Sequence, residues 1–281
     1  MSRWLCNGVP TDVTSIDERA FQYGDGLFET IAVRDGRPRF WNMHIDRLAR
    51  GCERLRLTMP RHKVLRGWLN DAIAASNEDT AFCTAKLILT GGAAARGYAR
   101  EMPTKVTTYC GIYASEPLPR SHYFNGVSTL VCNTRLALFS VTAGCKTLNR
   151  LEQVLARSEF AADGTFEGLT LDADDRLICG TISNVFIVEN GSISTPSLER
   201  CGVEGVMRRH VIEVLESSDL PVSVRDIGVS ELLSCDEVFL TNSQFGVLPV
   251  RRCGEKSWQE HLATGKVMSI VSVNNVAECA Q

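Results

Sequence analysis

Gly144-Cys145-Lys146-Thr147-Leu148-Asn149-Arg150-Leu151-Glu152-Gln153 sets a lone lysine just upstream of a helix start. Asn149 reads as the cap, and Glu152, three residues on, as the side chain that reaches back to complete a capping box. Leu151, Val154, Leu155 and Phe160 follow at helical spacing and predict one apolar face. A lysine at the mouth of a helix, among small and apolar residues, is poorly solvated. Burial favours its neutral form, lowers its pKa and makes it nucleophilic. The same pattern also fits a solvated lysine beside an ordinary helix, so the local chemistry leaves both readings open.

On the N-terminal side of this stretch, strands and helices alternate over the first ~115 residues. Leu27 to Val33 is β-rich, Gly36 turns the chain, and Arg39 to Trp41 continues as a hairpin partner. Asn42 is the expected cap of a helix with Ile45, Leu48, Ala49 and Cys52 at a 3.6 period, and a second helix covers about Lys63 to Ser76. Phe82 to Thr90 and Val106 to Tyr113 read as strands on either side of the loop Gly91-Gly92-Ala93-Ala94-Ala95-Arg96-Gly97-Tyr98. On the C-terminal side, strands are expected at Val127–Asn133, Gly168–Asp172, Leu177–Cys179, Asn184–Glu189, Val222–Val224 and, last, Val238–Thr241. Asn190-Gly191 is a hairpin turn signal. Helices are expected over about Val203 to Ser217, from near Ser230, and over about Trp258 to Val271. The expectation is an α/β (α+β) fold in two domains: a small N-terminal α+β domain over 1–115, a linker over 116–125 marked by Pro117 and Pro119, and a larger C-terminal domain over 126–281.

Composition narrows the function. A chain of 281 residues is long for one core and comfortable for two. The apolar fraction of 44% and charged fraction of 22% are ordinary for a soluble globular protein, and a net charge of −3 offers no basic field to nucleic acid. Arg47, Arg50, Arg54 and Arg56 cluster on one helix, but Asp46 and Glu53 intervene, so a solvated face is expected. No apolar run approaches the ~18 residues that span a bilayer, the N-terminus lacks the apolar core of a signal peptide, and the cytoplasm is the expected compartment. Eleven cysteines are an odd number, and no Cys-x-x-Cys occurs, so they read as buried reduced thiols with no structural metal.

Several other segments carry chemistry. Cys201-Gly202-Val203-Glu204-Gly205-Val206-Met207-Arg208 places two glycines before a helix, where free amides favour an anion. An ordinary loop entering a helix has the same look. His44-Ile45-Asp46-Arg47-Leu48 puts an arginine fork within reach of an anion or of a neighbouring carboxylate. Tyr23-Gly24-Asp25-Gly26-Leu27-Phe28-Glu29-Thr30 combines bend-forming glycines with a strand that would present Phe28 and Thr30 on one face.

Together these segments, in this order over nearly the whole chain, resemble the class IV aminotransferases, whose cofactor is pyridoxal 5'-phosphate. The resemblance implies a two-domain fold-type IV enzyme with a barrel-like mixed C-terminal domain, working as a homodimer. It implies that Lys146 is the Schiff-base lysine and that Arg47, the amides of Val206 and Met207, and Ser243 in Asn242-Ser243-Gln244-Phe245-Gly246-Val247-Leu248-Pro249 hold the cofactor phosphate. Leu148-Asn149-Arg150-Leu151-Glu152-Gln153 and Arg96-Gly97-Tyr98 are most similar to the family's lyase branch, which acts on 4-amino-4-deoxychorismate. That branch implies substrate contacts from Phe28, Thr30, Arg96 and Tyr98. The rivals within the family are a D-amino-acid or branched-chain aminotransferase and a degenerate, cofactor-free member acting as a binding or scaffold protein. One position departs from the pattern. Leu177-Ile178-Cys179-Gly180-Thr181-Ile182-Ser183-Asn184 carries Cys179 where the family has the glutamate that pairs with the cofactor's pyridine nitrogen.

Overall fold

The computed structural model describes residues 4–138, 141–160 and 164–280. The chain divides into two compact units, Met1–Glu116 with Cys145–Asn149, and Pro117–Gly144 with Arg150–Gln281. The lysine segment therefore packs with the N-terminal unit, although sequence order assigns it to the domain over 126–281. The expected linker over 116–125 is also replaced in part, because residues 120–125 fold as a helix of the second unit.

The first unit contains β1 (Trp4–Cys6), β2 (Val9–Thr11), α1 (Arg19–Tyr23), β3 (Gly26–Arg34), β4 (Arg37–Pro38), α2 (Trp41–Leu55), α3 (His62–Ala75), β5 (Phe82–Thr90) and β6 (Thr107–Ala114). Its six strands pair antiparallel in the order β2-β1-β6-β5-β3-β4. Strand alternation sets the faces. Cys83, Ala85, Leu87 and Leu89 of β5 and Leu27, Ile31 and Val33 of β3 join Ile45, Leu48 and Cys52 of α2 and Leu65 and Leu69 of α3 in one core. Each such aliphatic side chain taken from water contributes about 1.5–3 kcal/mol. Two expectations change here. The cap of α2 is Phe40, in the left-handed conformation at φ 52°, and Asn42 lies inside the first turn, where no side chain caps the helix. Arg47 leaves the expected solvated face: it is buried, while Arg50, Arg54 and Arg56 are exposed.

The second unit contains α4 (Arg120–Asn125), β7 (Val127–Leu136), α5 (Leu151–Ser158), β8 (Glu167–Asp172), β9 (Leu177–Gly180), β10 (Asn184–Glu189), β11 (Ser192–Pro196), α6 (Val206–Glu216), β12 (Val222–Arg225), α7 (Val229–Ser234), β13 (Glu237–Asn242), β14 (Gly246–Cys253), β15 (Lys256–Ser257) and α8 (Leu262–Val273). Its sheet runs β12-β11-β10-β13-β14-β7-β8-β9, with β15 on β14. β7 is parallel to both β14 and β8, β11 is parallel to β12, and the remaining pairs are antiparallel. β8 and β9 are buried at every residue, as strands covered on both faces are. Asn190 and Gly191, at φ 49° and 77°, make the tight turn between β10 and β11.

β13 is not the last strand. β14 follows it, lies between β13 and β7, and accommodates Pro249 and its two arginines with a register shift between Val250 and Arg252. Trp258 stays outside the C-terminal helix, its indole N–H donating to the Cys235 carbonyl at 2.9 Å. Glu237 instead caps α8, accepting from the amides of Ala263 and Thr264 at 2.7 and 2.8 Å. The capping box expected for α5 does not form. Asn149 donates to the Gly24 carbonyl at 3.0 Å, Glu152 accepts from the Ala137 amide at 2.9 Å, and Arg150 takes the cap position. The apolar face of α5 is also redistributed: Ala156 and Phe160 are buried, whereas Leu151, Val154 and Leu155 are 70%, 62% and 51% exposed.

Candidate active site

In the first unit the lysine segment lies alongside β3. The Phe28 amide donates to the Lys146 carbonyl at 2.9 Å, and the Leu148 amide donates to the Gly26 carbonyl at 3.0 Å. Backbone bonds on both sides of Thr147 fix where the half-buried Lys146 side chain leaves the chain, and its Nζ rests 4.4 Å from the centre of the Phe28 ring. The glycines of Tyr23-Gly24-Asp25-Gly26 are required by this pairing. Gly24 has φ +64°, and a Cβ there would lie 2.5 Å from Asn149 Oδ1. A Cβ on Gly26 would lie 2.5 Å from the Leu89 carbonyl. Asp25 between them holds Arg19 at 2.7 Å and Arg100 at 2.6 Å.

Arg47 meets Glu29 with two donors, Nε to Oε1 at 2.9 Å and Nη2 to Oε2. His44, one turn earlier on α2, approaches the same carboxylate through Nδ1 at 2.6 Å, and its Nε2 has no hydrogen-bond partner. Burial alone would raise the Glu29 carboxyl, but Arg47 and His44 outweigh it and hold the group at about 2. Burial lowers His44 below its ordinary range against the pull of Glu29. His44 is therefore neutral at pH 7, with Nδ1–H donating to Glu29.

The loop carrying Arg96-Gly97-Tyr98 is tied down by its backbone. Arg19 donates to the carbonyls of Gly97, Tyr98 and Ala99 at 3.0, 3.0 and 3.2 Å, and the Tyr23 hydroxyl accepts from the Gly97 amide at 3.2 Å. The side chains of Arg96 and Tyr98 are exposed, Tyr98 with an edge contact to Tyr23 at 5.4 Å.

In the second unit, α6 begins at Gly205 with no side chain capping it, so its first-turn amides, those of Val206 and Met207 included, face outward along the helix axis. Asn184 of β10 braces the preceding loop through Nδ2 to the Val203 carbonyl at 3.0 Å, and a Cβ on Gly205 would lie 2.0 Å from Asn184 Oδ1. Gly202, at φ +85°, packs against Ile178 and Leu198, with Cys179 Sγ 3.8 Å from the position its Cβ would take. Cys179 is buried with Leu136, Ile178, Leu198 and Cys201, and Thr170 Oγ1 is 3.6 Å from its sulfur. Burial pushes its thiol pKa up, so the group is neutral. Ser243 is half-buried in the turn between β13 and β14, a turn held by Asn242, which donates to the Ile182 carbonyl and accepts from the Gln244 amide.

Three contributors were not singled out from sequence. Glu167, fully buried, accepts from the amides of Gly168, Thr181 and Ile182 and from the hydroxyls of Thr181 and Ser183, which fixes the turn that leads into Asn184. Thr241 has a buried hydroxyl with no partner, two residues from Ser243. Lys86 sits in the middle of β5 with its Nζ 4.7 Å from the Phe28 ring centre. A lysine inside the apolar alternation of Phe82–Thr90 was the available signal for Lys86.

Each unit by itself carries groups that suit a part of pyridoxal phosphate. Uncapped amides beside two close-packed glycines, the Ser243 hydroxyl and the unpartnered Thr241 hydroxyl match a phosphate, and a lysine of fixed exit direction matches the cofactor aldehyde. Cys179 is a buried, neutral thiol. Ten of the eleven free cysteines are buried and Cys6 is half-buried. Among the described residues no helix is long and apolar enough to cross a membrane.

Residues 26–253 match the family model for class IV amino-transferases, and the chain belongs to that family. Within it, the chain is 35% identical over 251 residues to an aminodeoxychorismate lyase of Vibrio harveyi, covering 88% of this chain and 89% of that protein. It is 40% identical to a 4-amino-4-deoxychorismate lyase from Pseudomonas aeruginosa whose crystal structure superposes with a TM-score of 0.87, covering 97% and 99% of the two chains. The Escherichia coli branched-chain amino acid aminotransferase, at 20% identity and a TM-score of 0.88 over 98% and 95%, shares the fold.

Proposed function

We propose that this chain is a pyridoxal-phosphate-dependent lyase that converts 4-amino-4-deoxychorismate into 4-aminobenzoate and pyruvate, the step that supplies 4-aminobenzoate for folate. The observation that carries the reading is the Lys146 segment, held by backbone pairing to β3 with its ammonium on Phe28. The relatives named lyases, at 35% and 40% identity across the chain, support the substrate.

Arg47, the amides of Val206 and Met207, and Ser243 hold the phosphate, and Lys146 holds the aldehyde carbon. When bound, the cofactor supplies an electron sink. Glu29 holds the Arg47 guanidinium in one orientation through Nε and Nη2. Lys146 Nζ is the base that takes the ring proton beside the substrate nitrogen. As that C–H bond breaks, the C–O bond to the enolpyruvyl group breaks with it, the ring becomes aromatic, and the released enolate takes up on carbon the proton that Lys146 removed, giving pyruvate. Cys179, neutral and buried, leaves a ring nitrogen without a carboxylate, which disfavours transamination more than an elimination driven by aromatisation. Phe28 and Thr30 line the substrate side, with Arg96 and Tyr98 presented from the pinned loop. The partner is a second copy of this chain: Leu151, Val154 and Leu155 of α5 form an exposed apolar stripe that a subunit interface would cover. The compartment is the cytoplasm, in keeping with eleven free cysteines.

The test incubates cofactor-loaded protein with 4-amino-4-deoxychorismate and, separately, with alanine or valine plus a keto acid. Release of 4-aminobenzoate and pyruvate supports the proposal; keto-acid formation without it assigns the chain to the aminotransferases. Sedimentation gives the subunit count.

A further inference from the structure

The second unit carries two neighbouring arginines that the protein leaves without a counter-charge. Arg251 and Arg252 of β14 are consecutive, yet both are exposed. A regular strand would turn one of them inward. A bulge prevents that: Val250 pairs with Val127 of β7 and Arg252 with Ser128, which leaves Arg251 as an extra residue and re-aims its side chain. Gly126, at φ +72°, permits the close approach, since a Cβ there would lie 2.9 Å from the Arg251 amide nitrogen. Both arginines line a concavity of about 520 Å³, together with Phe124, Asn125, Gln259 and His261. Among the described residues neither guanidinium makes a hydrogen bond or an ion pair. No acidic side chain lines the concavity. Glu237, the acid whose charge reaches His261, is committed to the first amides of α8. His261 keeps a buried Nδ1 without a hydrogen-bond partner, although buried polar atoms ordinarily have one.

We propose that this concavity is a binding site for a small aromatic phosphate monoester, separate from the phosphate donors of the candidate active site. Two guanidinium forks match the two charges of a phosphoryl dianion and its oxygens, whereas a single carboxylate is matched by one fork. The concavity has the volume of a small-molecule site, more than a bare phosphate fills, so an organic part lies beside the phosphoryl group. Phe124 receives that part. It is 50% exposed, and the Arg120 guanidinium, 5.6 Å from its ring centre, adds a third positive charge nearby. Asn125 and Gln259 contribute neutral donors. Ser243 precedes β14, while the arginines lie near the far end of that strand, and Gly246 to Arg252 spans about 20 Å. One phosphate cannot reach both places.

The experiment titrates cofactor-loaded protein calorimetrically with phenyl phosphate, inorganic phosphate and benzoate, so that the active-site donors are already filled. The wild type is expected to bind phenyl phosphate at one site with a Kd below about 1 mM, and the other two probes about tenfold more weakly or worse. Replacing both arginines, Arg251→Gln with Arg252→Gln, should weaken phenyl phosphate about tenfold or more. Phe124→Ala should weaken phenyl phosphate about threefold and leave inorganic phosphate unchanged. No heat of binding up to about 10 mM phenyl phosphate overturns the proposal, as does equal affinity in the double arginine variant. Benzoate binding as tightly as phenyl phosphate overturns the choice of a dianion. Inorganic phosphate binding as tightly as phenyl phosphate overturns the aromatic part.

Discussion

Replacing Glu29 by glutamine is expected to destabilise the first unit by about 3 kcal/mol at pH 7, more than any of its exposed ion pairs contributes. The carboxyl is held at about 2 against an ordinary 4.5. At 1.36 kcal/mol per pKa unit, that depression corresponds to about 3 kcal/mol of preference for the ionised form in the fold. The removal of one partner from a buried pair costs a comparable 3–5 kcal/mol, here because Arg47 keeps its charge away from water. Because the folded-state pKa is lowered, the contribution is complete above the unfolded value and disappears as pH falls through the folded one. About 1 kcal/mol is gone at pH 4 and about 2 kcal/mol at pH 3. A chain of two units does not unfold in one step, so amide exchange of β3 and β5 in a urea series, which reports the first unit alone, is the suitable assay. The gap between wild type and Glu29→Gln should narrow by about 1 kcal/mol between pH 7 and pH 4. A gap below about 1 kcal/mol at pH 7, or one independent of pH, would refute the assignment of a buried ionised Glu29.

Lys146→Ala is expected to keep its far-UV circular dichroism and lose both the borohydride-sensitive visible cofactor band and turnover; a variant that still turns over at the wild-type rate removes Lys146 from the mechanism. Arg47→Ala should weaken cofactor binding by about 1.5–3 kcal/mol and also lower stability, since Glu29 then lacks its cation. An unchanged cofactor dissociation constant leaves Arg47 as a structural partner of Glu29 only. Arg96→Ala should raise substrate KM while cofactor affinity stays constant, and equal loss of both would argue against a substrate-side arginine. Cys179→Glu should raise pyridoxamine phosphate formation from alanine while lyase turnover stays within about tenfold, ~1.4 kcal/mol in barrier; flat transamination defeats the weak-sink argument.

Local chemistry carried much of the reading. The alternation of Phe82–Thr90, the Asn190-Gly191 turn and the glycines at 202 and 205 each have a short-range cause, a strand pleat, a positive φ or a close backbone approach, and the structure reproduces each where the residues sit. The lysine segment and its neighbours were legible as motifs for the same reason. Partners distant in the chain were not. Asn149 looks like a helix cap to its neighbours, yet Gly24 offers it a carbonyl, and Glu152 goes to Ala137. β14 was hidden because Pro249 and two arginines weaken its local preference, while pairing on both sides with β13 and β7 outweighs it. The pairing of Arg47 with Glu29, the five donors on Glu167 and the meeting of Lys86 and Lys146 on one phenyl ring exist only once strands far apart in sequence are in register. Sequence determined which groups and which local conformations were available. Tertiary structure decided which charges were buried together, because burial and pairing depend on chain segments that no short window of residues contains.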